Sequence, residues 1–148
     1  MPGYVIQMRF ANKTFKVDGN ISLNSPLIIH AAQGAWEVGG NFDINNTRLY
    51  LSGNSTSGFT VWGTLNLSTV NSSLDFAKQD GGGSGSKSRM IGGINGIGRL
   101  QVGLPSVDTT VILTNNGTAE FSGKYATQNG VGGALHLNMN ANSDTGKQ

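Results

Sequence analysis

Two histidines, eight carboxylates and many hydroxyls are the groups in this chain that could hold a metal, move a proton or attack a carbonyl; there is no cysteine. His30 follows Leu27, Ile28 and Ile29. His136 shares a strand face with Ala134 and Asn138, while Leu135, Leu137 and Met139 take the other face, which sets it toward solvent. A metal site needs several converging ligands and none is spaced near either histidine, so no metal and no cofactor is expected. Glu37 and Asp43 fall on one strand face but about 20 Å apart at the rise of an extended chain, too far for paired carboxylate work on a glycoside. Asp75 with Asp80 is the other pair that spacing offers. The serines lie in no Gly-x-Ser-x-Gly elbow, and the histidines have no acidic partner in view. The expectation is a protein without enzymatic activity. The largest anchors for a ligand or partner are Trp36, Trp62, Tyr50 and Tyr125, whose default use is core packing and whose exposure on a loop would mark a binding hot spot.

The elements that must position these groups read as strands. Residues 8–19 align without a gap to residues 42–53, and residues 111–123 repeat the pattern with the first strand shifted by one. Each is an alternating run, an Asn-centred turn, a second alternating run and a glycine. Period-two alternation marks strands with one buried face, and Asn or Gly between two such runs supplies the positive-φ positions of a tight reversal. The pattern predicts antiparallel hairpins, with Gly19, Gly53 and Gly123 bending the sheet at its corners. Sustained 3.6-residue periodicity is absent, so helix should be minor. Phe59, Val61, Leu65 and Leu67 are candidate core residues.

A second periodicity competes. Residues 17–23, 38–44 and 61–67 are alike and recur at steps of 21 and 23, which is also what the rungs of a parallel β-solenoid would give. Hairpin turns at Asn45-Asn46 and at Asn115-Asn116-Gly117 favour the antiparallel arrangement, as does the fading of the repeat after Lys78. Residues 80–89, rich in Gly and Ser, read as a flexible loop or tether.

Composition narrows the class. The 148 residues suit one domain with one core; 12% are charged, 36% hydrophobic, and 23 are glycine, which fits short strands joined by many turns. The net charge of +2 is spread without a basic block, so no nucleic-acid partner is expected. No apolar run is long enough for a transmembrane helix. The opening residues carry no export leader, so the chain reads as cytosolic or, by preference, as a mature domain without its export signal. Asn-x-Ser/Thr sequons at Asn12, Asn20, Asn45, Asn54, Asn66, Asn71 and Asn116 follow from turn chemistry and from a composition rich in Asn, Ser and Thr.

The run from Phe10 to Phe15 before the Gly19-bearing strand, and Phe121, Gly123, Ala126 and Gly132-Gly133 before a final strand, give the chain a resemblance to the C-terminal barrels of transferrin-binding protein B, factor H binding protein and related bacterial surface lipoproteins. The resemblance implies an all-β fold, an antiparallel up-and-down barrel of about eight strands over residues 1–148. It further implies an outer-membrane-anchored, surface-exposed virulence protein that binds a host protein or small ligand through its loops, as monomer or weak oligomer. The alternatives are a structural β-solenoid or filament subunit of an adhesin, and a carbohydrate-binding module.

Overall fold

The computed structural model describes residues 6–10, 13–31, 35–53, 58–76, 87–102, 109–114, 120–127 and 135–139. Among them every regular element is a strand. In chain order these are β1 (Ile6–Phe10), β2 (Thr14–Val17), β3 (Ile21–Leu23), β4 (Leu27–Ala31), β5 (Ala35–Val38), β6 (Phe42–Ile44), β7 (Arg48–Gly53), β8 (Gly58–Leu67), β9 (Ser73–Phe76), β10 (Lys87–Gly96), β11 (Arg99–Val102), β12 (Thr109–Leu113), β13 (Lys124–Thr127) and β14 (Leu135–Met139). One sheet runs β1-β4-β7-β9-β11-β13; the other runs β14-β12-β10-β8-β5-β2, with β3 and β6 continuing beside β8. All strand pairs are parallel. The chain therefore coils as a β-solenoid, each rung crossing from one sheet to the other.

The all-β expectation holds, and the antiparallel barrel is corrected to the parallel coil that was its rival. The reason lies at Asn46. It does adopt the left-handed conformation expected of a turn asparagine, with φ 53°. That residue swings the chain around a corner, from β6 in one sheet to β7 in the other, and does not fold it back on itself. Phe42 lies beside Ile21 and Leu65, not opposite Arg48–Leu51. The aligned segments 8–19 and 42–53 each join strands of different sheets, β1 with β2 and β6 with β7. Alternation specifies which side chains face inward; it does not specify the direction of the neighbouring strand. Residues 80–86 and the Asn115-Asn116-Gly117 turn lie outside the described residues, whereas Lys87, Ser88 and Arg89 belong to β10.

Stacking of like on like builds the core. Leu27, Leu49, Leu74 and Leu100 stand side by side in one sheet. Val38, Val61, Ile91 and Leu113 do so in the other, beside a column of Phe42, Leu65 and Ile94. Most are wholly buried. Trp36 packs edge-on against Phe42 at 5.3 Å between ring centroids and tilted against Phe59 at 5.7 Å. Burying each such side chain contributes about 1.5–3 kcal/mol.

Polar ladders tie the bends between β2 and β3, β5 and β6, and their equivalents on β8. Asn20 Oδ1 accepts from the Asn41 N–H at 2.8 Å, and Asn41 Oδ1 accepts from the Thr64 N–H at 2.9 Å. The backbone approaches so closely there that a β-carbon on Gly63 would overlap Asn41 Oδ1 and the Gly40 carbonyl. Gly96 holds φ 108° where β10 ends, a conformation that side chains with a β-carbon resist. At the next corner Asn45 Nδ2 donates to Ser22 Oγ and Asn24 Oδ1, and accepts at its Oδ1 from Ser68 Oγ.

Core column and ladder should differ in weight. Leu49→Ala leaves a cavity between rungs and is expected to cost about 2–5 kcal/mol. Asn41→Ala, which removes an acceptor from an exposed N–H that water reaches, is expected to cost about 1 kcal/mol. Urea unfolding of both variants measures the difference; equal losses would contradict it.

Candidate functional site

A groove of about 450 Å³ runs along the corner that leads into the β4-β7-β9-β11 sheet, lined by Asn24, Pro26, Asn46, Thr47, Arg48, Val70, Asn71, Ser73 and Arg99. Its geometry follows from register. Leu49, Leu74 and Leu100 point inward, so their neighbours Arg48, Ser73 and Arg99 face outward. Parallel pairing then sets Arg48 beside Ser73, and Ser73 beside Arg99, with Lys124 next to Arg99 on the following rung.

The opposite wall comes from the corners. After β6 the chain turns through Asn45, Asn46 and Thr47; after β8 it makes the longer excursion Ser68–Ser72 before β9. That excursion closes on itself. The Ser72 N–H donates to the Thr69 carbonyl at 2.9 Å, and the Thr69 N–H donates to Ser72 Oγ at 3.2 Å. Buried Ser72 Oγ also accepts from the Asn46 N–H at 3.0 Å, and Asn71 Nδ2 donates to Asn46 Oδ1 at 3.0 Å. Val70 and Asn71 are thereby held out as an exposed rim.

On the floor, Thr47 and Ser73 are more than nine-tenths buried; the Thr47 hydroxyl has no hydrogen-bond partner, and the Ser73 hydroxyl faces the Asp75 carboxyl. Asp75, two residues along β9 from Ser73 and on the same outward face, is as deeply buried, with Oδ1 unpartnered. Burial pushes its carboxyl up from the usual carboxylate value, against the pull of the Arg48 guanidinium, the Ser73 hydroxyl and the Arg99 guanidinium. Arg48 Nη1 donates to the Tyr50 hydroxyl at 3.2 Å, a bond that holds the guanidinium further in its charged form.

The four aromatic candidates are not brought together. Trp36 is buried in the core at 2% exposure. Trp62, on the bend of β8 in the other sheet, is exposed and donates from Nε1 to Glu37 Oε1 at 2.8 Å. Tyr50 is half-buried beside the groove, anchoring Arg48. Tyr125 lies on β13 beside Leu100 and is half exposed. His30 sits in β4 between Arg9 and Ser52, and His136 in β14 next to Thr110, on different sheets. Among the described residues no three His, Asp or Glu side chains group as metal ligands, and no helix is long and apolar enough to cross a membrane.

Sequence reasoning passed over Arg48, Ser73, Arg99 and the Thr47 hydroxyl. The signal for Arg48, Ser73 and Arg99 was their position one residue before an inward leucine, and that signal required the rungs to be aligned first. Fold and groove together define a parallel β-solenoid with a cation-flanked polar cleft. Compared with known protein families, curated proteins and solved structures, the chain matches none.

Asp75 gives the site a pH signature. Its folded pKa is raised, so the native state holds the proton more tightly than the unfolded chain. This contribution to stability is greatest below the ordinary carboxylate range and declines as pH rises through the raised value. Asp75→Asn is expected to remove that decline and to be at least as stable as the parent at neutral pH. Urea midpoints from acid to neutral pH check it; a parent that gains stability relative to the variant as pH rises would contradict it.

Proposed function

We propose that the chain is a segment of a non-enzymatic adhesin rod, exposed on or secreted from a bacterial surface, whose outer faces rather than rim loops meet a partner. What carries this reading is the parallel stacking of strand on strand in both sheets, with one shift of register between Ile91 and Gly93 in β10. Each rung needs only its neighbours for its core and its backbone hydrogen bonds, so a solenoid extends to any length without a new core. Such an architecture suits reach and display. This reading keeps the surface location and host-facing role that the lipoprotein resemblance implies, and leaves its barrel behind.

The groove lining is what such a face presents to a partner. Its described residues offer amides, hydroxyls and two guanidinium groups. Freedom from cysteine also suits a protein that passes between reducing and oxidising compartments.

The test is display. The chain is anchored on a non-adherent bacterium, and the cells retained on epithelial layers and extracellular matrix are counted against cells bearing an unstructured linker of equal length. Retention several times above the linker is expected. Equal retention on every surface would overturn the adhesin reading.

A further inference from the structure

We infer that the groove from Asn24 to Arg99 binds an extended acidic polysaccharide, its carboxylate or sulfate groups held by Arg48 and Arg99 and its hydroxyls by the amides and hydroxyls of the floor and rim. This goes beyond the adhesin reading and stands on the groove alone.

The cleft crosses successive rungs, so a ligand lying along it meets an outward side chain at the same place on each: Pro26, Arg48, Ser73, Arg99. Rungs repeat at about 4.8 Å, which sets Arg48 and Arg99, two rungs apart, about 10 Å from one another. Along an extended acidic glycan, acid groups that face the same side recur about once per disaccharide, at a comparable interval. Guanidinium forks grip carboxylate and sulfate oxygens in pairs, which a point charge does not. Tyr50 already holds the Arg48 fork in place.

The lining between the cations suits a sugar. Asn24, Asn46 and Asn71 offer amides that both donate and accept, as sugar hydroxyls do. Asn46 and Asn71 spend one of those groups on each other and keep others to offer. The orphaned hydroxyl of Thr47 is a second and independent sign, because a buried polar atom without a partner costs free energy that a ligand hydroxyl reaching it would recover. Pro26 and exposed Val70 supply apolar surface for the face of a sugar ring.

Charge around the groove points the same way. The described strands of this sheet carry Arg9, Arg48, Arg99 and Lys124 against one acid, Asp75. The other sheet balances its cations better, with Glu37 and Asp43 set against Lys16, Lys87 and Arg89. A single-stranded nucleic acid would want aromatic platforms for its bases, and none lines the groove.

The probes are fluorescent hexasaccharides of heparin and of polygalacturonate, with maltohexaose as the neutral glycan and a single-stranded oligonucleotide as the competing polyanion. Anisotropy titrations at low and at physiological salt read the affinity. Binding of at least one acidic hexasaccharide is expected, with none of maltohexaose. Arg48→Gln and Arg99→Gln should each weaken that binding by about tenfold or more, and Arg48→Lys should fail to restore it. Lys16→Gln, which removes equal charge from the far sheet, should leave it within about twofold. Arg48 is exposed, so its variants keep the fold, which circular dichroism verifies. Asn71→Ala on the rim, expected to weaken binding without loss of charge, provides a second readout. Absence of binding by both acidic probes, equal loss in Lys16→Gln and Arg48→Gln, or tighter binding of the oligonucleotide would each overturn the inference. Loss of glycan binding with cell adhesion intact would leave the adhesin reading standing with another partner.

Discussion

Every described rung has to hand its backbone N–H and C=O groups to the rungs on either side, because a parallel coil has no other place to satisfy them. That requirement fixes register, and register fixes nearly everything else. Once Leu49 is bonded beside Leu27 and Leu74, side chains one rung apart are neighbours at about 4.8 Å, and a sequence is tolerated only if residues at matching positions can lie flat against one another. Leucine on leucine and Val on Val meet that condition inside. At the bends, Asn20 over Asn41 and Asn41 over Thr64 meet it by adding a side-chain hydrogen bond between rungs, beside the backbone bonds from the Gly40 N–H to the Gly19 carbonyl and from the Gly63 N–H to the Gly40 carbonyl.

Lateral stacking also explains why a cleft exists. The corners are free to differ in length because only the strands must match. Between β10 and β11 the corner is Ile97 and Gly98, while between β8 and β9 it is the five residues 68–72. The longer corner projects, and the projection walls the groove. Its own hydrogen bonds, centred on buried Ser72, make it a fixed wall. The floor is less content. Thr47 buries a hydroxyl that the protein itself does not pair, a cost of the kind that stable scaffolds avoid where nothing else depends on the position.

Much of this could be read from residue order, and the part that could not has a definite cause. Alternation gave the strands; residues 17–23, 38–44 and 61–67 gave the step of the coil and do lie side by side. Asn46 was legible as a left-handed turn residue. What a turn asparagine does not encode is whether the next strand returns beside its predecessor or departs to another sheet. Only the partners decide that, and here the partners are more than twenty residues away. The repeat seemed to fade after Lys78 because the spacing changes between the sheets: Leu74 stands beside Leu100, while Phe59 stands beside Arg89. For the same reason the groove was hidden. Asp75 was legible as a carboxylate of interest, but its influential neighbours are Arg48 and Arg99 one rung to either side, and Asp80 lies outside the described residues.

In-register stacking also has an electrostatic consequence that accounts for the sparse charge of the chain. A charged residue repeated on adjacent rungs faces its own kind at strand spacing, where cross-strand like pairs are destabilising. Charged columns are therefore broken up. In one sheet Lys16 is followed by Glu37 and then Thr60, and the cation and acid pair at 3.8 Å. Beside the groove Arg48 is followed by Ser73 before Arg99. The exception is Arg99 next to Lys124, two cations on neighbouring strands, with the carboxyl nearest to Arg99 buried and pushed toward its neutral form. A fold that elsewhere separates like charges keeps this pair together at the end of its cleft, and an anion bridging the two is the arrangement that would turn their repulsion into attraction.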